Sequence, residues 1–292
     1  MRLQQVARFE NALEPRERAR LFFDMLREEL EKCETFLAPE EAQVLKAYYS
    51  SLRGVPQPRL ENMRAWYARR VMNLAGSIRP GTKVLDAGCG LGSECILAAM
   101  LGGVVQGIDL RSERLAVARK RAEFYQRTNG MPLQVQFMGA SIFDISDRFD
   151  VIHAQEAISH IEPWERFILW AHDALSGGGR LIISDHNALN PWSAIKSKII
   201  QRRQGGVYVA RINPSTGKKV SYAQERFLNV ISLTRRLRRA GFKIEKLDVY
   251  GFSPYVPNAL VTKLGVLFEG VVTRLPLLRL VGATYTLVVV KS

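Results

Sequence analysis

The sequence predicts an α/β fold built on a mostly parallel sheet, and three observations carry that reading. Short apolar runs at 83–86, 104–109, 133–138, 150–154 and 180–184 have the length and composition of strands. Amphipathic stretches at 93–101, 112–128 and 164–175 lie between them with helical periodicity, the alternation that βαβ units require. The first apolar run passes directly into Gly88, Gly90 and Gly92, a sharp turn that feeds the next helix.

Before this core, apolar residues recur at helical spacing: Leu21, Phe22, Met25, Leu26 and Leu30, then Val44, Leu45, Tyr48 and Tyr49, with a break around 54–58. About three helices are therefore expected in residues 1–80, as a cap ahead of a domain spanning 81–292. After the fifth strand the chain leaves the pattern. Residues 187–220 read as an insertion, with a basic amphipathic piece at 192–203 and a Gly/Pro/Ser/Lys loop at 205–219. Helical periodicity returns at 222–240, followed by a strand near 243–250, an apolar segment at 259–275 and a last strand, TYTLVVVK, which brings the total to seven.

A chain of 292 residues, 47% hydrophobic and 24% charged, can bury one large core and does not have the composition of a disordered protein. The opening MRLQQVARFENALEPRERARLFF mixes charge with apolar residues and lacks a signal peptide's apolar run. Cys33, Cys89 and Cys95 form no CxxC pair, so neither a disulfide scaffold nor a zinc site is expected. A cytoplasmic protein follows as the expectation. The net charge of +14 is unevenly placed: residues 1–195 hold 24 side chains of each sign, while 196–246 hold 14 basic against 2 acidic. A local surface that attracts phosphates or an anionic leaflet is implied.

The segment V84-L85-D86-A87-G88-C89-G90-L91-G92-S93 runs from buried strand to helix through three glycines spaced two apart. Glycine serves where the backbone turns sharply and a ligand must approach without meeting a Cβ, and the helix behind it aims its amides at that ligand. Seventeen residues beyond Gly92, the second strand ends at Asp109, placed to accept hydrogen bonds from ribose hydroxyls. Together these features indicate a nucleoside cofactor. A dinucleotide would ask for G-x-G-x-x-G, and Ser93 stands at its third glycine. Asp86, two residues before the loop, would repel a pyrophosphate and attract an amino group.

VLDAGCGLGSE followed by GIDL resembles the first two motifs of class I S-adenosylmethionine-dependent methyltransferases. FDVIHAQEAISHIEPWERFILWAHDALSGGGRLIISDHN is similar to that family's fourth strand, helix, glycine turn and fifth strand, and the layout is closest to the quinone-biosynthesis O-methyltransferases. The resemblance covers 80–190 well and 221–292 in outline. It implies a Rossmann-like seven-stranded sheet with an antiparallel last strand. It also implies S-adenosylmethionine as cofactor, with Asp86, Ala87, Gly88, Cys89, Gly90 and Gly92 at the methionine part, Asp109 at the ribose and Leu110 on the adenine. Where the family often has G-D-A after strand three, this chain has Gly139-Ala140-Ser141-Ile142, so Ser141 or a backbone group serves instead of the usual acid, and Ile142 joins the expected cofactor set. Gln155, at the end of strand four, completes the expected cofactor set.

Methyl transfer from a sulfonium is an in-line displacement, so positioning supplies most of the catalysis, and a base is needed only for a nucleophile that carries a proton. His160 and His186 follow strands four and five, at the edge where open α/β sheets bind ligands, and either is a candidate base or a packing residue. His153 and His172 lie within a strand and a helix. Glu156 stands four residues before His160, a spacing that puts both on one face if a helix begins there. The quinone branch has an acid immediately before that histidine; Ser159 here leaves no metal expected.

The family's nucleic-acid branches carry Asn/Asp-Pro-Pro-Tyr or Pro-Cys after strand four. This chain reads Ala154-Gln155-Glu156-Ala157, which disfavours nucleic acid as a partner. The basic insertion instead combines Trp192, Ile195 and Ile199 with Lys196, Lys198, Arg202 and Arg203, as an interfacial helix does, so an anionic membrane surface is a candidate contact. The expected activity is methylation of a small hydrophobic or lipid-linked acceptor, at a hydroxyl. An RNA-directed enzyme and a non-catalytic protein that binds S-adenosylmethionine are the alternatives.

Overall fold

The computed structural model describes residues 14–130, 132–252, 272, 275 and 278–292, with the side chains of Pro58, Asn129 and Arg279 excepted. Two compact units divide the chain: residues to 141 together with 214–216, and residues 142–213 with 217–292. The main sheet has seven strands, and two further strands pair separately.

In the first unit, three helices precede the sheet. They are α1 (Pro15–Lys32), α2 (Pro39–Tyr48) and α3 (Gln57–Ser77). Proline begins both α1 and α2, where its missing N–H costs nothing, and Glu41 Oε2 accepts the Ala38 N–H at 2.9 Å to cap α2. Helix α1 buries Phe22, Phe23, Met25, Leu26 and Leu30 along one stripe. Each such side chain contributes about 1.5–3 kcal/mol when fully removed from water. Tyr67 of α3 stacks on that stripe, 5.6 Å from Phe23 and 6.5 Å from Phe22 between ring centroids.

The sheet portion of this unit is β1 (Lys83–Ala87), β2 (Val104–Asp109) and β3 (Val135–Gly139), all parallel. Helices α4 (Ser93–Met100) and α5 (Ser112–Asn129) connect them. Register pairs Ala87 with Ile108 and Asp109 with Gly139, so the loops that leave β1 and β2 emerge from one edge.

The second unit pairs β4 (Phe149–Gln155) with β5 (Leu175–His186) in parallel through α6 (Trp164–Ala174). Strand β9 (Thr284–Lys291) runs antiparallel to both β5 and β8 (Phe242–Tyr250), as the seven-stranded expectation has it. Helix α7 (Pro191–Arg203) begins at Asn190, whose side chain accepts the Ser193 N–H at 3.0 Å.

Two expectations are corrected. Residues 205–219 are not a plain loop: they carry most of a hairpin of β6 (Tyr208–Ile212) and β7 (Lys219–Ala223). Period-2 exposure marks both strands, and Gly217, at φ 69°, closes the turn by donating its N–H to the Asn213 carbonyl. The helical reading of 222–240 shrinks to α8 (Val230–Arg239), because Asn229 caps it by accepting the Ile231 and Ser232 N–H groups. The apolar segment at 259–275 lies outside the described residues apart from Val272 and Leu275.

Candidate functional site

The glycine loop of the first unit is drawn onto strand β2. The Ile108 carbonyl accepts the N–H groups of Gly88 and Cys89 at 2.8 and 2.9 Å, and Asp109 Oδ2 accepts the Gly90 N–H at 2.9 Å. Gly88, Gly90 and Gly92 all lie at positive φ, 76°, 54° and 74°. The last has a second constraint: a Cβ there would meet the Phe137 ring at 2.6 Å.

Asp109 Oδ1 also accepts the Arg111 N–H at 2.8 Å, so each carboxylate oxygen already holds one backbone amide. A carboxylate offers about four acceptor directions, which leaves capacity for hydroxyl donors. Asp86 is buried at the end of β1 and accepts a hydrogen bond from the Cys95 thiol at 3.2 Å. Burial pushes the Cys89 and Cys95 thiols up, so both stay protonated at neutral pH. Glycines without Cβ atoms, a buried acid and a partly satisfied acid at the next strand end are what an adenosine with a charged amino acid arm asks for.

Ala87, which ends β1, and Cys89 in the loop are buried, and Leu110 is half-buried just past β2. Ser141, half-buried, follows β3 at the end of the first unit, while Ile142, buried, opens the second. Gln155 ends β4 in the second unit. Trp66 is 40% exposed, and Tyr67 is half-buried, its hydroxyl donating to Glu94 Oε1 at 3.2 Å.

The second unit gathers the two candidate histidines beyond β4 and at the end of β5. Residues 157–160 form a turn and not a helix, so Glu156 and His160 do not share a helical face. The reason is Glu156 itself, whose φ of 49° takes the chain out of the helical region at the first step. Each histidine faces a different acid. His186 Nε2 lies 3.9 Å from Glu156 Oε1, and His160 Nε2 lies 4.0 Å from Glu225 Oε1. Glu225 is also left-handed, at φ 46°. Two non-glycine residues held in that region, each beside a candidate base, mark backbone strain stored where function is expected.

His160 Nδ1 lies 2.8 Å from the Ala223 carbonyl. A carbonyl only accepts, so Nδ1 carries the proton of the neutral ring and Nε2 keeps its lone pair. The ring stacks on Tyr222, 4.9 Å away and nearly parallel, which fixes its direction. Beneath the pair, Asp185 is buried and accepts the N–H groups of His186 at 2.7 Å and Ser159 at 3.1 Å. Burial, reinforced by the Glu156 charge, outweighs those bonds and raises its carboxyl to about 7. Sequence reasoning did not single out Tyr222, Ala223 or Glu225, because hairpin β6–β7 brings them to His160 from more than sixty residues away. Among the described residues no group of His, Cys, Asp and Glu is arranged to hold a metal ion.

The methyltransferase-domain family profile matches residues 59–247. The chain is 29% identical over 189 residues to the ubiquinone biosynthesis O-methyltransferase of Glaesserella parasuis serovar 5, covering 63% of this chain and 74% of that protein. It is 30% identical over 182 residues to the protein of the same name from Actinobacillus pleuropneumoniae serotype 5b, covering 60% and 71%. The fold is also that of magnesium protoporphyrin IX methyltransferase from Synechocystis PCC 6803, whose crystal structure holds S-adenosylhomocysteine. That likeness has a TM-score of 0.54 at 17% identity and covers 93% of this chain and all of that one. With the profile spanning well over half the chain, the chain belongs to the methyltransferase-domain family and is an S-adenosylmethionine-dependent methyltransferase.

Proposed function

We propose that the enzyme methylates a hydroxyl on a small hydrophobic or lipid-linked acceptor, with His160 as general base. The observation that carries this is the His160 Nδ1–H bond to the Ala223 carbonyl, which leaves Nε2 as a proton acceptor in a ring held by Tyr222. A hydroxyl carries a proton at neutral pH and gains from such a base, worth about 10²–10⁴-fold. His186, beside Glu156, is the second candidate. The names of the relatives support a hydroxyl acceptor.

The cofactor brings a methyl already activated by its sulfonium. Asp86 is assigned to the amino group of its methionine part, with Ala87, Gly88, Cys89, Gly90 and Gly92 giving that part close backbone approach. Asp109 takes the ribose hydroxyls and Leu110 the adenine face, with Ser141 and Ile142 assigned to the adenine end and Gln155 to the cofactor set. The test is release of S-adenosylhomocysteine, followed by mass spectrometry, across phenolic and catecholic acceptors with and without a polyprenyl tail. Methylation of a phenol oxygen that falls at least 100-fold in His160→Gln is expected. Full turnover in both His160→Ala and His186→Ala would remove the base.

Contact with an anionic membrane is part of the same proposal, and the build of α7 supports it. The helix turns Ser193 and Ser197 inward and leaves Trp192 69%, Ile195 50% and Ile199 44% exposed among Lys196, Lys198, Arg202 and Arg203. A helix that turns serine inward and leaves tryptophan and isoleucine exposed among cations presents an apolar face that a lipid interface would cover. No helix among the described residues is long and apolar enough to cross a membrane.

A further inference from the structure

Helix α5 carries an arginine, Arg121, that is completely buried, as is the side chain of its partner Glu29 in α1. The pairing is two-pronged: Nε donates to Glu29 Oε1 at 2.5 Å and Nη2 to Oε2 at 2.8 Å. Tyr125 adds its hydroxyl to Glu29 Oε2 at 3.0 Å. Burial alone would pull the guanidinium down, but the Glu29 charge holds it well above its ordinary value, so it stays cationic.

A buried ion pair is weak evidence of stabilisation, because desolvation offsets the attraction and apolar side chains of like volume often serve as well. What the fork does with its remaining donors suggests another role. Nη1 donates to the carbonyl of Leu91, within the glycine loop, at 2.5 Å, and Nη2 also donates to Ser93 Oγ, the first residue of α4, at 3.0 Å. Tyr49, just past α2, bonds the same Ser93 oxygen at 2.5 Å, and the Tyr48 hydroxyl lies 2.9 Å from where a Cβ on Gly90 would stand. Leu91 and Ser93 flank Gly92, so the guanidinium spans the left-handed step of the loop from behind.

We propose that Arg121, oriented by Glu29, is a positioning residue for the cofactor loop, and that through it the N-terminal helices are coupled to S-adenosylmethionine binding. The planar fork is the reason for arginine. Nε and Nη2 satisfy a carboxylate, while Nη1 and the second Nη2 proton fix a carbonyl and a hydroxyl on either side of Gly92. The fork's hydrogen bonds go to Glu29, Leu91 and Ser93, so it acts through the loop. It holds the amides of residues 88–93 in the geometry the ligand needs, so less ordering is left for binding to offset.

This inference rests on the cofactor reading of the loop, and the experiment separates the two. Titrating S-adenosylhomocysteine into the full wild-type chain by calorimetry must show binding; that is the cofactor reading alone. The double variant Glu29→Leu/Arg121→Met replaces the pair with apolar volume. It is expected to keep its melting temperature within a few degrees or raise it, while its Kd for S-adenosylhomocysteine rises at least tenfold. A melting temperature that changes while Kd stays within twofold would show a structural pair only and overturn the proposal. Hydrogen exchange on the wild-type chain gives the reciprocal test, which needs no variant. S-adenosylhomocysteine is expected to slow exchange across residues 22–30 of α1 at least threefold, and unchanged exchange there overturns the coupling.

Discussion

Glu156 Oε1 lies 3.9 Å from His186 Nε2, and the same glutamate sits at φ 49°, a left-handed conformation that its side chain does not favour. With the chain leaving the helical region at Glu156, the acid that sequence spacing sets beside His160 stands beside His186. His160 takes Glu225 instead, through hairpin β6–β7. Glu156→Gly, which relieves the backbone and removes the acid, is expected to preserve or raise the melting temperature while lowering turnover. Glu156→Gln keeps the strain and lowers turnover without the stability gain. Thermal melts and initial rates on the two variants check this.

Asp185 makes stability pH-dependent in a defined direction. Its carboxyl is raised to about 7 by burial and the neighbouring Glu156 charge, so the folded chain binds the proton more tightly than the unfolded chain does. The stabilisation is therefore complete below the ordinary carboxylate range and is lost as pH climbs toward about 7. In Asp185→Asn that dependence disappears. Relative to wild type, the variant's melting temperature is expected to improve between pH 5 and 8, and a parallel pair of curves would exclude the raised carboxyl.

Gly92→Ala tests the loop without touching an acid. The new Cβ meets Phe137 at 2.6 Å on a backbone at φ 74°, so both strain and collision are introduced. A loss of about 1–3 kcal/mol in stability is expected from the backbone alone, together with weaker binding of S-adenosylhomocysteine. Denaturant titration measures the first and calorimetry the second.

Charge reversal on α7 tests the surface proposal. With Lys196, Lys198, Arg202 and Arg203 changed to Glu, the chain is expected to lose flotation with vesicles containing phosphatidylserine while keeping its turnover on a water-soluble acceptor. Trp192→Ser is expected to weaken flotation by itself, since a side chain 69% exposed contributes little to the fold. Failure of the wild-type chain to float on those vesicles removes the membrane contact.

The sheet was legible because its signals are local: apolar runs of strand length, a glycine turn, an acid at the end of β2. The hairpin was missed because Tyr208–Ile212 and Lys219–Ala223 alternate over only five residues each, and the Gly and Pro between them read equally well as a loop. The buried pair left a signal that went unread. Glu29 falls in the stripe with Phe22, Met25, Leu26 and Leu30, and Arg121 falls among Leu115, Val117, Ala118, Ala122 and Tyr125. A charge on an apolar stripe needs a partner, and two such charges of opposite sign point to each other. The histidine environments were beyond reach because their partners come from distant sequence.

The central claim is that residues 86–109 hold S-adenosylmethionine through the glycine loop and Asp109. Calorimetric titration of S-adenosylhomocysteine into wild type and Asp109→Ala tests it most directly. One-to-one binding to wild type, weakened at least tenfold in the variant as the ribose contact and the Gly90 anchor are lost together, is the predicted result. Equal affinity in the two proteins, or no binding to wild type, would contradict it.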